Sequence, residues 1–225
     1  MRTESTTQGL VSVIIPTYNR YDMLHIAIKS VLEQTYQNIE VIVVNDCSTD
    51  ARYYDGSLEK YEKTKVIHLP KNQREVYNVA AAQGVVRQFG IERASGEWIA
   101  FLDDDDLFLG SKIETQLNAL ADSQYLMCST NMYTINGNRE IFGIYLKQNL
   151  PSVFTRDLIV TENYINNSTV IVHKTILDKA GPCRLIDAED WDLWKRCLEH
   201  TNCIYISDPL VLYMMGQMKY YKYVS

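Results

Sequence analysis

The stretch Trp98-Ile99-Ala100-Phe101-Leu102-Asp103-Asp104-Asp105-Asp106-Leu107-Phe108 joins an apolar segment of strand length directly to four consecutive aspartates. A short apolar run of this kind, preceded by a turn signal, predicts a buried strand. The four carboxylates repel one another, and no lysine or arginine in the stretch neutralises them. Because ligands of open α/β sheets bind beyond the carboxyl ends of the strands, the aspartates predict a binding edge.

Two interpretations of the four aspartates remain open from the residues alone. Carboxylates gathered at the end of a buried strand are typical of a site for a hard divalent cation, which prefers oxygen ligands. Alternatively, the run is a solvated acidic turn in which Asp104 or Asp106 caps the next helix. The pattern favours the cation site over the acidic turn.

The residues before the aspartates alternate between strand and helix patterns, which predicts a mainly parallel α/β sheet flanked by helices. Runs rich in β-branched residues predict strands, and apolar residues at helical spacing predict helices. The predicted strands are 11–15 (closed by Pro16), 39–44 and 65–69, and the predicted helices are 23–32 and about 76–94.

Polar loops follow three of these predicted strands. They contain Tyr18 with Asn19, then Asp46, and finally the four aspartates. The carboxyl ends of parallel strands meet at one edge of a sheet, so these loops predict a crevice of nucleotide size.

The residues after the aspartates continue the α/β pattern less regularly. Asn136-Gly137 between two apolar segments predicts a hairpin, and about 145–165 follows no clear period. We therefore predict one domain over 1–225, with a nucleotide-sugar-binding half at about 10–110 and an acceptor and catalytic half at about 111–225. The other predicted elements are a helix at 111–120, strands at 125–128 and 168–172, and a helix ending at Gly181.

A second acidic site lies in the segment 187–198. At helical spacing, Asp190 shares a face with Leu193 and Trp194, so it is predicted to point into the protein. Glu189 and Asp192 fall elsewhere on the helix and are predicted to be solvated. The alternative, that Asp190 only satisfies backbone amides at the helix start, stays open.

Composition excludes several classes of protein. The chain has 225 residues and a net charge of −6, with no basic block, which argues against nucleic-acid binding. Its five cysteines lack CxxC spacing and predict reduced, mostly buried thiols. No signal core or transmembrane run is present in the sequence, so we expect a cytoplasmic protein.

Four motifs in this order resemble family-2 glycosyltransferases of the GT-A fold, over about 11–213. They are Val11-Ser12-Val13-Ile14-Ile15-Pro16-Thr17-Tyr18-Asn19-Arg20, Val44-Asn45-Asp46-Cys47-Ser48-Thr49-Asp50, Ala94-Ser95-Gly96-Glu97 running into the aspartate stretch, and Glu189-Asp190-Trp191-Asp192-Leu193. The resemblance implies a Rossmann-like sheet and transfer of a sugar from a nucleotide diphosphate.

The resemblance also implies roles for particular residues. Tyr18 matches the residue that stacks on the base and Asp46 the one that accepts from the base edge. Asp105 matches the ligand of a divalent ion, Mn²⁺ or Mg²⁺, and Asp190 the catalytic base. The remaining implied donor-binding residues are Pro16, Asn19, Asp103 or Asp104 at the ribose, and Arg87 at the diphosphate, where Arg74 competes.

Two departures from the family pattern are visible. The usual Asp-Asp-Gly is Asn45-Asp46-Cys47 here, and 212–217 lacks the histidine that many relatives carry as a further metal ligand. Water is then expected at that position of the metal.

The function implied is an inverting, metal-dependent transfer from a UDP-sugar to a hydroxyl of a glycan acceptor. A sugar-nucleotide-binding module without turnover and a nucleotidyltransferase remain alternatives, although 16–19 is neither glycine-rich nor basic as the latter requires. The segment 145–165 and the tail 214–225 are expected to shape acceptor access, and the tyrosines and lysines of the tail could touch a membrane surface.

Overall fold

The computed structural model describes residues 9–147 and 149–215. Within these ranges, ten strands form one mixed sheet in the order β3-β2-β1-β4-β9-β6-β10-β5, with β7 on β6 and β8 on β10. The strands are β1 (Val11–Thr17), β2 (Ile39–Asn45), β3 (Thr64–His68), β4 (Trp98–Phe101), β5 (Leu107–Phe108), β6 (Met127–Ile135), β7 (Ile141–Ile144), β8 (Val153–Phe154), β9 (Ile171–His173) and β10 (Cys203–Met214).

Strands β1 to β4 are mutually parallel, as the sequence predicts. Strand β9 runs antiparallel to both β4 and β6, and β10 runs parallel to β6. Strands β6 and β10 therefore point the same way as β4, so the carboxyl ends of all these parallel strands face one edge.

Helices cover both faces of the sheet, and each face has its own apolar core. One core joins Ile14 and Phe101 to Trp194, and the other joins Val13 and Val43 to Leu24. Alternate strand residues supply the two cores, because successive side chains point to opposite faces. The helices are α1 (Tyr21–Leu32), α2 (Gln73–Tyr77), α3 (Gln83–Arg93), α4 (Lys112–Ala121), α5 (Arg156–Thr161), α6 (Lys174–Ala180) and α7 (Glu189–Cys197).

Three sequence predictions about elements need correction. Strand β1 continues through Pro16, whose missing N–H does not end the pairing with β2. The helix predicted over 76–94 is two helices, because Asn78 adopts a left-handed conformation with φ 52° and ends α2. Of the strand predicted at 168–172, the first part is a 3₁₀ turn, Asn167–Thr169.

The predicted hairpin is confirmed. The hairpin at Asn136-Gly137 joins antiparallel β6 and β7. All five cysteines are free thiols, and Cys128, Cys197 and Cys203 are buried. Among the residues that the structure describes, no helix is long and apolar enough to cross a membrane.

A buried polar cluster fixes the start of β4. The Glu40 carboxylate accepts hydrogen bonds from Ser12 Oγ at 2.6 Å and from the Ser95 backbone N–H at 2.7 Å, and Gly96 N–H donates to Ser12 Oγ. Burial raises the pKa of Glu40, but these bonds and the one from Lys65 outweigh it and hold the pKa below its ordinary value. The cluster sets where β4, and hence the aspartates, enter the sheet.

Gly96 has no room for a side chain at this point. A Cβ there would lie 2.6 Å from the Leu10 carbonyl oxygen and 2.7 Å from the Ser12 nitrogen, both of which are backbone atoms. We therefore expect Gly96→Ala to lower the free energy of unfolding by ~1–3 kcal/mol, measured by urea titration. Gly110→Ala is the control, because nothing lies within 4 Å of that Cβ. Equal stabilities of the two variants would contradict this packing.

Candidate functional site

A cleft of about 170 Å³ opens at the carboxyl ends of β1 and β2. Its lining includes Pro16 and Tyr18 from the loop after β1, Asp46 from the loop after β2, and Arg74 of α2. The Tyr18 side chain is 38% exposed, so its ring is available to a ligand. Asp104 also lines the cleft. All three loops that the sequence predicted at this edge therefore contribute to the cleft.

Hydrogen bonds hold the loops after β1 and β2 in place. The Asn19 backbone N–H donates to Ser48 Oγ at 2.9 Å, and Asn19 Oδ1 accepts from the Thr49 N–H at 2.8 Å. Asn19 adopts a left-handed φ of 53°, which asparagine tolerates better than most residues. Asn19 therefore joins the loop after β1 to the loop after β2.

Asp46 is nearly buried at the base of the cleft. Its Oδ1 accepts from the Gln73 N–H at 2.9 Å and its Oδ2 from Asn72 Nδ2 at 3.1 Å. Burial raises the pKa of Asp46 to about 6, against the lowering effect of the Gln73 hydrogen bond and of Arg74. The carboxylate is thus fixed in direction and ionised at neutral pH.

The four aspartates have different environments. Asp106 is fully buried, and it accepts from Ser168 Oγ at 2.6 Å and from the Met214 N–H at 2.9 Å. Helix α4 begins six residues later, at Lys112, and its N-cap residue Ser111 makes no side-chain cap hydrogen bond. The alternative of an acidic turn that caps the next helix is therefore wrong; Asp106 anchors the loop to β10.

Arg20, in the loop after β1, neutralises the middle of the run. Its Nη1 lies 3.0 Å from Asp104 Oδ1 and 2.9 Å from Asp105 Oδ2. Burial raises the pKa of Asp104 to about 7, with Arg20 opposing and the charge of Asp105 adding to the rise. The sequence stretch itself gave no sign of this partner, which is 84 residues away from Asp104.

Arg87 of α3 joins the aspartate loop to α7. Its guanidinium hydrogen-bonds Asp103 and lies 3.0 Å from Glu189 Oε1, while only 6% of its side chain is exposed. The prediction that Glu189 is solvated is therefore wrong, because the charge of Arg87 draws it inward. Asp192 is not solvated either, since it forms ion pairs with Arg184 and Arg196.

Asp190 lies in the first turn of α7, beside this ion pair. The predicted inward face is confirmed by the burial of Leu193 and Trp194. Burial raises the pKa of Asp190, the charges of Glu189 and Asp103 add to the rise, and Arg87 opposes it. Asp190 Oδ1 also accepts a hydrogen bond from the Trp191 N–H at 2.7 Å. This bond is of the kind expected if Asp190 satisfies backbone amides at the helix start.

The donor chemistry at the end of β4 fits a hard divalent cation. Of the four aspartate side chains, Asp103 (29%) and Asp105 (19%) are the more exposed, and both offer oxygen. Within the described ranges, no group of three or more His, Cys, Asp or Glu side chains could hold a metal ion. One or two carboxylates with the remaining ligands from phosphate and water is the usual arrangement for Mg²⁺.

Comparisons with known proteins identify the family. The sequence profile described as Glycosyl transferase family 2 matches residues 12–186. The chain is 32% identical, over 84% of its length and 70% of the relative, to the Escherichia coli UDP-Glc:alpha-D-GlcNAc-diphosphoundecaprenol beta-1,3-glucosyltransferase WfaP. It is 37% identical over 56% of its length to an uncharacterized glycosyltransferase of Rickettsia conorii, of which it spans only 20%.

Solved structures show the same fold. The crystal structure of Staphylococcus aureus TarS 1-349 in complex with UDP-GlcNAc superposes with a TM-score of 0.74, at 24% identity, covering 96% of this chain and 61% of the TarS 1-349 chain. This likeness confirms the predicted GT-A fold.

The buried ion pairs of Arg87 provide a test of this site's construction. We expect Arg87→Met to lower the free energy of unfolding by ~3–5 kcal/mol, because it leaves the partly buried Asp103 and Glu189 without their counter-charge. Urea unfolding followed by circular dichroism measures the loss.

Arg52→Met is the matched control. Arg52 also bridges two carboxylates, Asp22 and Asp50, each at 2.7 Å, but 47% of its side chain is exposed. Exposed ion pairs contribute ~0–1 kcal/mol, so this variant should lose little stability. If Arg87→Met lost no more unfolding free energy than Arg52→Met, the ion pairs of Arg87 would not be holding the aspartate loop and α7 together.

Proposed function

The chain belongs to glycosyl transferase family 2, and we propose that it transfers a hexose from a UDP-sugar to a hydroxyl group of a glycan acceptor. One observation carries this proposal: the cleft with Tyr18 and Asp46 adjoins the β4 aspartates, which Arg87 links to the helix of Asp190. The E. coli relative, named for transfer from UDP-Glc to a lipid-linked GlcNAc, supports the same donor and acceptor classes.

The nucleotide would bind in the cleft. The Tyr18 ring stacks on the base, with Pro16 beside it, and the fixed Asp46 carboxylate accepts from an N–H of the base edge. Asn19 keeps these two loops together. Asp104, which lines the same cleft, is the better placed of the two candidates for the ribose hydroxyls.

The two candidate arginines would have different roles at the diphosphate. Arg74 is exposed and lines the cleft, so we assign the direct phosphate contact to it. Arg87 was the first candidate from sequence, but its guanidinium is buried between Asp103 and Glu189. Arg87 would therefore act on the donor through the position of Asp103.

A divalent cation, Mn²⁺ or Mg²⁺, would be held by Asp105, with Asp103 near it. When bound, such an ion supplies positive charge to the departing diphosphate as a Lewis acid. The chain's own contribution is an excess of carboxylates over arginines at the end of β4, which favours a cation there. All-oxygen ligands select Mg²⁺ or Mn²⁺ rather than Zn²⁺.

Asp190 would accept the proton of the acceptor hydroxyl as its oxygen attacks the anomeric carbon. Its raised pKa suits a general base, because a base works best when its pKa approaches the ambient pH. Direct displacement of this kind inverts the anomeric configuration. A lipid-linked acceptor would bring the protein to a membrane surface, and the predicted cytoplasmic location belongs to the same proposal.

Asp190→Asn tests the assignment of the base. The variant should keep its affinity for the UDP-sugar that most stabilises the wild type in a thermal-shift panel with Mn²⁺, since Asp190 does not line the cleft. The rate of transfer or hydrolysis of that sugar should fall by ~10²–10⁴-fold, because the proton acceptor is gone.

Asp192→Asn is the control on the same helix, and it should retain most activity because Asp192 pairs with Arg184 and Arg196. Full activity of Asp190→Asn would remove Asp190 from the mechanism. Donor binding without any turnover by the wild type would favour the alternative, a sugar-nucleotide-binding module.

A further inference from the structure

The sheet order leaves one side of the aspartates for a second ligand. The nucleotide cleft lies on the side of β1 and β2, whereas β9, β6 and β10 follow β4 on the other side. Strands β6 and β10 stay paired up to Ile135 and Met214, seven residues beyond the last β6 residue that pairs with β9, Cys128. They form a surface that rises past the end of β4.

Tyr213, near the end of β10, lies next to the aspartates on this surface. The following residue, Met214, donates its N–H to Asp106 Oδ1 at 2.9 Å. Burial raises the pKa of Tyr213 to about 12, and the charges of Asp106, Asp103 and Asp105 add to the rise. The Tyr213 ring is thus within electrostatic reach of the proposed reaction centre.

Tyr145 extends this aromatic surface outward. It directly follows β7, and its N–H donates to the Met132 carbonyl of β6 at 3.0 Å, which fixes its backbone. Its ring meets the Tyr213 ring edge-on, with centroids 5.8 Å apart and planes at 74°. Tyr145 is nevertheless 44% exposed, so part of the residue is open to solvent.

We infer that Tyr145, supported by Tyr213, forms a subsite for a pyranose ring of the acceptor. The inference rests on the proposed function. A pyranose has an apolar face of C–H groups that packs on an aromatic ring, while its hydroxyls need polar neighbours. A sugar seated on Tyr145 would lie beside Tyr213, the ring on which the charges of Asp106, Asp103 and Asp105 act.

The rigidity of the two rings favours this use. Tyrosine offers a large contact area with few rotatable bonds, so that little conformational entropy is lost when a ligand binds. The edge-on contact with Tyr213 and the backbone hydrogen bond to Met132 hold Tyr145 before any ligand arrives.

Saturation-transfer NMR tests the subsite directly. The probes are methyl glucoside, methyl galactoside and methyl N-acetylglucosaminide, added to the protein with UDP and the diamagnetic ion Mg²⁺. We expect at least one probe to show transfer to its ring protons with the wild type. Tyr145→Ala should bind that probe about tenfold more weakly, and Tyr145→Phe should bind it nearly as well as the wild type.

Phe142→Ala is the control, since Phe142 is 60% exposed on the same hairpin. Its probe binding should equal that of the wild type. If no probe binds the wild type, or if Tyr145→Ala binds it unchanged, the subsite is refuted. A thermal shift by UDP in the same samples separates this outcome from failure of the proposed function, which would show as a wild type that does not bind UDP.

Discussion

Repulsion among four adjacent carboxylates at the end of β4 is the constraint that the rest of the site satisfies. Partners from several parts of the chain stabilise the four aspartates. Asp106 is buried against Ser168 and the Met214 amide, Asp103 pairs with Arg87, and Arg20 serves both Asp104 and Asp105. These partners lie 16 to 108 residues away along the chain, and the folded sheet brings them to the loop.

The same arginines link the groups proposed to bind the nucleotide to the groups proposed to carry out the transfer. Arg20 belongs to the loop that carries Tyr18, and Arg87 connects Asp103 to Glu189, the neighbour of Asp190. The cleft, the aspartate loop and helix α7 are therefore linked by arginine–carboxylate pairs. Because a guanidinium fixes the direction as well as the charge of its partners, these pairs keep the groups in a constant relative position.

The sequence predicted the parallel half of the fold well because buried strands and amphipathic helices leave regular apolar periods. It predicted the three ligand loops for the same reason, since loops at the ends of parallel strands share an edge. It could not reveal Arg20 and Arg87 as counter-charges, because their partners are 84 and 16 residues away and no local period reports such pairing. Asking which basic residues lie in loops at the same edge would have found Arg20.

The break at Asn78 was missed because a single left-handed residue changes no apolar period. The tail, on which acceptor access was predicted to depend, lies outside the described residues from Gly216 onward.

The proposed mechanism requires the end of β4 to hold a cation beside a nucleotide. Crystals grown with UDP and Mn²⁺, with diffraction recorded at the manganese absorption edge, test this requirement most directly. We expect an anomalous peak at roughly 2.0–2.3 Å from an Asp105 carboxylate oxygen, with the base of UDP between Tyr18 and Asp46. Manganese bound away from Asp105, or UDP bound outside the cleft, would contradict it.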